Sequence, residues 1–303
     1  MVKKHSLHLA SWNINGYKIK GFNKYEDQTF LSQLNDKDII CLIETHCPFP
    51  ESINIPNFKT VNIIRPKNKR SNKISGGMSI LVKTEIRPGV KYMDQCNSDF
   101  IWLKLCKNFF GLIDDIYLCF MYNPPAYSSY TKSLQYDIFD MLEKDILNYS
   151  LKGKILLMGD LNSRTAEEND FIQNDHYDCN LPLFEDYLPD CNIDSRFSMD
   201  RVVLPRGRAL NDICIQTGIR ILNGRCLGDL AGKFTCHNQR GSSVVDYGLA
   251  SENLLPCINF FKVNKFIPDL SDHCLISLML KINCRIPEKV DTIQRLPNKY
   301  KME

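Results

Sequence analysis

The sequence has no pair of cysteines at C-x-x-C spacing and no phosphate-binding G-x-x-x-x-G-K-[ST] loop. Nor does any apolar run approach the ~18 residues that a membrane span needs. The first absence argues against a zinc ribbon or a thiol-disulfide oxidoreductase, and the second against nucleotide triphosphate hydrolysis of the Walker type. The third argues against a helical membrane protein. Charge of one sign is also scarce: the net charge is +3 over 303 residues, too small to name a polyanionic partner. The 13 cysteines are odd in number and scattered, and Cys41, Cys119 and Cys274 fall inside apolar runs, where a free thiol behaves as a small core residue. A reduced, soluble, intracellular protein is therefore expected. The polar, basic start from Met1 to Ser6 does not fit a secretory signal.

What the chain does contain is a series of short apolar runs of strand length. Leu7–Trp12, Ile39–Ile43, Met78–Val82, Phe100–Leu105, Ile116–Tyr122, Ile155–Met158, Val244–Leu249 and Leu275–Leu280 are separated by turn formers such as Gly76-Gly77, Pro88-Gly89 and Pro124-Pro125. Apolar residues at 134, 138, 142 and 146 predict a helix from about Ser129 to Tyr149. Shorter helices are expected at Gln28–Leu34 and at Leu210–Thr217, the latter stopped by Gly218. Helices alternate with strands, and strand follows strand between 77 and 122. This mixture predicts an α/β (α+β) domain of two sheets packed face to face with helices outside. The domain is expected over 1–283, with 284–303 as a flexible C-terminal extension.

The informative residues stand where the apolar runs stop. Leu7–Trp12 leads into Asn13 and Asn15, Ile39–Ile43 into Glu44, and Ile116–Met121 into Tyr122. Ile155–Met158 leads into Asp160 and Asn162, and Ser271-Asp272-His273 precedes the last strand. Asp246 lies inside an apolar run and should be at least partly buried. Each has an ordinary explanation alone, since Asp and Asn are common turn residues. Together they place carboxylates, carboxamides and one histidine at strand ends, where functional groups of layered folds gather. Such a set suits phosphoryl chemistry. A hard cation needs only one or two carboxylates, another carboxylate can activate water, and a histidine oriented by an acid can bond a phosphate oxygen.

These motifs, in this order, resemble the endonuclease/exonuclease/phosphatase superfamily. Within it, the chain looks most like the apurinic-like endonuclease domain of LINE-type (non-LTR) retrotransposons. The resemblance rests on Trp12-Asn-Ile-Asn-Gly16, Ile43-Glu-Thr-His46, Met158-Gly-Asp-Leu-Asn162, Gly241-Ser-Ser-Val-Val-Asp-Tyr247 and Leu270-Ser-Asp-His273. It implies a four-layer αββα sandwich, DNase I-like, and a Mg²⁺-dependent phosphodiesterase leaving a 3′-hydroxyl and a 5′-phosphate. Mn²⁺ is the expected substitute cation. By the same resemblance Glu44 ligates the metal, with Asp272 and Asn15 beside it. Asp160 activates the nucleophile, and Asn13 and Asn162 orient phosphate and water. Tyr122 contacts the scissile phosphate, His273 binds it, Asp246 orients His273, and Thr235 and Ser271 bond nearby. Repair members carry an Asp where this chain has Asn15, and a bulky aromatic near Ser243. Both departures argue against strict abasic-site specificity, and the Asn at position 15, which the retrotransposon branch also accepts, favours that branch.

Arg65, Lys67, Lys69, Arg70 and Lys73 make a basic stretch that is either a solvated loop or a set of DNA-phosphate contacts. The segment His237–Ser243 reads as a hairpin, and the resemblance places Arg240 in the minor groove. The expected partner is double-stranded DNA, with no membrane, in the nucleus, and with a reverse transcriptase domain in a longer polyprotein as a further partner. Two other readings stay open. One is a phosphodiesterase of inositol phosphate or sphingomyelin type on the same fold. The other is a catalytically silent, domesticated DNA-binding module.

Overall fold

In the computed structural model, residues 2–19, 21–49, 53–65, 74–94, 98–172 and 193–286 are described. Two six-stranded mixed sheets carry the fold. The first runs in the order Ile258–Val263, Ile276–Ile286, Val2–Asn13, Ile39–Ile43, Met78–Lys83 and Phe58–Ile63. The second runs Ile219–Ile221, Asp246–Ser251, Lys154–Asp160, Ile116–Tyr122, Phe100–Leu105 and Val90–Tyr92. Each sheet has a parallel pair at its centre, Val2–Asn13 with Ile39–Ile43 and Lys154–Asp160 with Ile116–Tyr122, while their other neighbours run antiparallel.

The central strands are apolar along their whole length because both faces are covered. In Ile116–Tyr122, Ile116, Leu118 and Phe120 enter the core between the sheets, whereas Tyr117, Cys119 and Met121 pack under helices. In Val2–Asn13, Leu7 and Leu9 point to the same inter-sheet core, while Ala10 and Trp12 face outward beneath the helix Gln28–Leu34. The helices Ile138–Ser150 and Pro205–Thr217 cover the outer face of the second sheet. The result is the expected four-layer αββα sandwich. Full burial of one such Leu or Ile is worth about 1.5–3 kcal/mol, so these three apolar layers supply most of the drive to fold.

Three boundaries differ from the sequence expectation. The long helix starts at Ile138, because the Asp137 carboxylate accepts from the Phe139 amide at 2.7 Å and caps the N-terminus there. The residues before it form only a 3₁₀ turn at Thr131–Ser133. The helix expected from Leu210 begins instead at Pro205, a residue whose fixed φ and missing N–H suit the first helical turn. It ends as expected at Gly218, in the left-handed region with φ 70°. Finally, the last strand runs through Ile286, paired with Val2, so the sheet extends three residues past 283. Residues 287–303 of the expected extension lie outside the described residues.

Register brings the strand-end residues to one edge of the sandwich. Asp160 stands opposite Tyr122 on one side and Asp246 on the other, and Asn13 stands opposite Ile43, the residue before Glu44. The motif glycine Gly159 is needed for close approach: a Cβ there would meet the Met121 carbonyl oxygen at 1.9 Å.

Candidate active site

Asp160 is buried at the centre of the cleft. One carboxylate oxygen accepts from Asn13 Nδ2 at 2.9 Å and from Asn162 Nδ2 at 3.2 Å, and the other from the Asn162 backbone N–H at 3.0 Å. Asn162 Nδ2 also donates to the Asn123 carbonyl at 2.9 Å. Burial and the neighbouring Asp246 push the Asp160 carboxyl well above the usual carboxylate range, against the opposing pull of His273 and Asn13. That direction suits a group that must take up a proton near neutral pH.

His273 forms the second half of the centre. Its Nδ1 lies 2.9 Å from Asp246 Oδ2. Burial alone would lower its pKa, but Asp246 and, more weakly, Asp160 raise it well above the ordinary histidine value. The backbone of this loop is held separately: Trp12 Nε1 donates to the His273 carbonyl at 2.9 Å, and the His273 amide donates to Ser271 Oγ at 3.0 Å. Ser271 Oγ donates in turn to the Asn13 carbonyl at 2.7 Å. Thr235, 0 % exposed, accepts from the amides of Val245 and Asp246, both at 3.0 Å. Both hydroxyls expected to bond near phosphate, those of Ser271 and Thr235, are buried and bonded to backbone beside the cleft.

Glu44 sits across the cleft. The Tyr122 hydroxyl donates to its Oε1 at 2.5 Å, and His46 Nε2 lies 3.6 Å from its Oε2. Burial would raise the Glu44 carboxyl, but His46, Tyr122 and Asn13 hydrogen bonds outweigh it and hold the pKa down at about 2. Burial and the Glu44 charge drive the Tyr122 phenol upward, so it stays a donor. Asn15 Nδ2 reaches Asp272 Oδ1 at 3.2 Å. Asn15, Glu44, Asp160, Asn162, Asp272 and His273 all line one cleft of about 240 Å³. Four residues here, Asn15, Glu44, His46 and Asn162, hold positive φ between 45° and 53°. For Glu44 and His46 that conformation costs of order 1–3 kcal/mol, the kind of strain kept where a side chain must be aimed.

The donors suit a hard cation. An ionised Glu44 with the oxygens of Asp272 and Asn15 is an all-oxygen set. Among the described residues, the groups of three ligating atoms lying within 4.8 Å of one another are Asp160, Asp246 and His273, and Cys236, Asp272 and His273. Glu44 belongs to neither. A cation at Glu44 would take few protein oxygens and keep several waters, as Mg²⁺ prefers.

Beside the cleft, the strands Cys236–Asn238 and Gly241–Ser243 form the expected hairpin, with exposed Arg240 in its two-residue turn. The hairpin is tied to the loop that carries Asp272 and His273 by His237 N–H, which donates to the Asp272 carbonyl at 2.7 Å. Arg65 departs from its expected role. It is 6 % exposed, pairs with buried Asp99, and lies between the rings of Tyr122 and Tyr130, with its guanidinium carbon 4.7 and 4.0 Å from their centroids. It supports Tyr122 from behind and cannot reach a phosphate. Arg65→Ala should destabilise the fold by about 3–5 kcal/mol, since it leaves the Asp99 charge in the interior without its cation. Denaturant unfolding checks this, and a cost below about 1 kcal/mol would contradict it. Lys67, Lys69, Arg70 and Lys73 lie outside the described residues.

Sequence reasoning missed two groups. Lys24, buried, donates to the carbonyls of Ile14 and Leu270 and so clamps the two loops that carry Asn15 and Asp272. Burial lowers its pKa to about 8, with Asp272 opposing. Arg206 donates to the Pro124 carbonyl and braces the loop after Tyr122. Neither has a local signal beyond a lone cation in a polar segment.

The fold has solved counterparts. The apurinic/apyrimidinic endonuclease LMAP from Leishmania major is similar over 91% of this chain and 88% of its own, with a TM-score of 0.61 and 14% identity. The endonuclease domain of TRAS1, a telomere-specific non-LTR retrotransposon, is similar over 91% of this chain and 99% of its own, with a TM-score of 0.55 and 12% identity. No curated protein sequence matches the chain significantly. The family model that does match covers residues 10–273, the polar residues from Asn13 to His273 included, and on that match the chain belongs to the Endonuclease/Exonuclease/phosphatase family.

Proposed function

We propose that the chain is a Mg²⁺-dependent endonuclease that nicks double-stranded DNA, of the type that opens target sites for retrotransposition. The observation that carries this reading is the pairing of Asp160, held by two asparagines, with His273, held by Asp246, on one cleft with Glu44. Asp160 takes the proton from the attacking water, and the Asn162 carbonyl oxygen orients that water. His273, with Nδ1 bonded to Asp246, donates from Nε2 to a non-bridging phosphate oxygen. Asn13 and Tyr122 keep Asp160 and Glu44 in place. As the water oxygen bonds to phosphorus the P–O3′ bond breaks, and the departing 3′-oxygen takes up a proton from solvent, leaving a 3′-hydroxyl and a 5′-phosphate. Bound at Glu44, Asp272 and Asn15, Mg²⁺ would supply positive charge to the phosphate and the departing oxygen. Nicks that DNA ligase reseals without prior end repair would support this bond assignment. Nicks that resist ligase until a 3′-phosphate is removed would overturn it.

DNA is favoured over smaller phosphodiesters by the hairpin. Its tip presents Arg240 to solvent while its base is bonded to the loop of Asp272 and His273, so a groove contact at the tip is held in register with the cleaved bond. Ser243 lines the cleft at the position where repair members carry a bulky aromatic, which leaves abasic sites without a closed pocket. Arg240→Ala is expected to move the preferred nick positions on a plasmid while lowering the total rate by no more than about 150-fold, the ~1–3 kcal/mol scale of one base-edge contact. Sequencing of nick sites checks it, and an unchanged pattern would contradict it. This reading extends to Lys67, Lys69 and Arg70 as phosphate contacts, to a nuclear location, and to a reverse transcriptase domain as partner in a longer polyprotein.

A further inference from the structure

Cys236 has no task in the chemistry above, yet it lines the same cleft. An isolated antiparallel bridge pairs it with His273, which sets the two side chains on one face. Asp246 occupies Nδ1 of that ring, so the nitrogen left for the thiol side is Nε2. The ligating atoms of Cys236, Asp272 and His273 lie within 4.8 Å of one another. Ligand atoms around one tetrahedral zinc ion lie about 3.5 Å apart, given bonds of roughly 2.0–2.3 Å. Small side-chain rotations therefore suffice. The backbones are already fixed by the Cys236–Ser243 ladder pair and by the His237 amide on the Asp272 carbonyl.

A sulfur, an imidazole nitrogen and one carboxylate oxygen make a donor set unlike the all-oxygen set at Glu44, and one that suits a thiophilic ion rather than Mg²⁺. The Asp246–His273 hydrogen bond is also the outer contact that orients and enriches a zinc-ligating imidazole. We propose that Cys236, His273 and Asp272 form a second cation site, for zinc-like ions, and that filling it stops phosphodiester hydrolysis. Binding releases the thiol proton, giving a thiolate-metal bond, and takes the Nε2 lone pair and an Asp272 oxygen. Those groups are then unavailable to phosphate and Mg²⁺. The inhibitory half of this proposal rests on the function proposed above, whereas the binding half does not.

The test is Co²⁺ titration of the full chain, followed by displacement with Zn²⁺. One equivalent should give tetrahedral d–d bands and a near-ultraviolet thiolate-to-cobalt band, both removed by Zn²⁺. Cys236→Ser should lose the near-ultraviolet band and bind at least about tenfold more weakly, while Cys226→Ser keeps it. No thiolate band in the wild type, or a band that survives Cys236→Ser, overturns the site. In parallel, plasmid nicking at fixed Mg²⁺ is followed as Zn²⁺ rises, each variant measured against its own zinc-free rate. Near-stoichiometric Zn²⁺ should stop the wild type and spare Cys236→Ser, and equal inhibition of both overturns the inhibitory half. A thiolate band in a wild type that nicks no DNA supports the site and removes the nuclease reading instead.

Discussion

Asp160→Asn is expected to lower the nicking rate by about 10²–10⁴-fold, the usual contribution of a general base. All three groups bonded to the Asp160 carboxylate are donors: Asn13 Nδ2, Asn162 Nδ2 and the Asn162 amide. An asparagine there cannot take a proton, and whichever way its amide turns its NH₂ faces at least one of these donors. The fold should survive, because the carboxylate it replaces is buried and carried at a cost beside Asp246. The pH profile follows from the same environment. Asp160 must be ionised to act, and its pKa is raised, so activity should climb as pH rises through a value well above the ordinary ~4 of a carboxylate. A rate profile already flat from pH 5 upward, or Asp160→Asn with more than a tenth of wild-type activity, would contradict this assignment.

His273→Ala should cost about 10²–10³-fold in turnover, the scale of one donor aimed at developing phosphate charge. The alanine variant is a clean probe, because the contacts of residue 273 that anchor its loop, from Trp12 Nε1 and to Ser271 Oγ, use backbone atoms and remain. Asp246→Asn should act through the histidine. It removes the main charge that raises His273 above its usual 6.5. Activity that needs the imidazolium is lost as pH rises through the His273 pKa. In wild type that loss should therefore come only at alkaline pH, and in Asp246→Asn it should begin near neutrality. An unshifted alkaline limb would show that His273 does not act as the cation.

Most of the site was readable because its residues end strands. A run such as Ile155–Met158 followed by Gly-Asp-Leu-Asn marks both the buried strand and the place where polar groups become possible. Parallel neighbours then bring such ends together, as Asp160 and Tyr122 are brought by register. Arg65 was misread for the opposite reason. It stands next to a basic stretch, and its partner Asp99 is 34 residues away, so nothing local separates a buried cation from a solvated one. Lys24 is the same case, with Leu270 as a contact 246 residues away. Thr235 and Ser271 show a further limit: only tertiary packing reveals that their hydroxyls bond backbone. The start of the helix at Pro205 was missed because Pro-Arg-Gly-Arg has no apolar period, although proline in first position is itself a start signal.

The most direct measurement is the nicking of supercoiled plasmid by wild type, Asp160→Ala and His273→Ala, each with Mg²⁺ and each with EDTA. Nicked circles from the wild type with Mg²⁺ alone, with both variants slower by at least about 100-fold, are the expected result. Nicking that persists in EDTA, or that either folded variant retains, would contradict the account, and so would a folded wild type that nicks nothing.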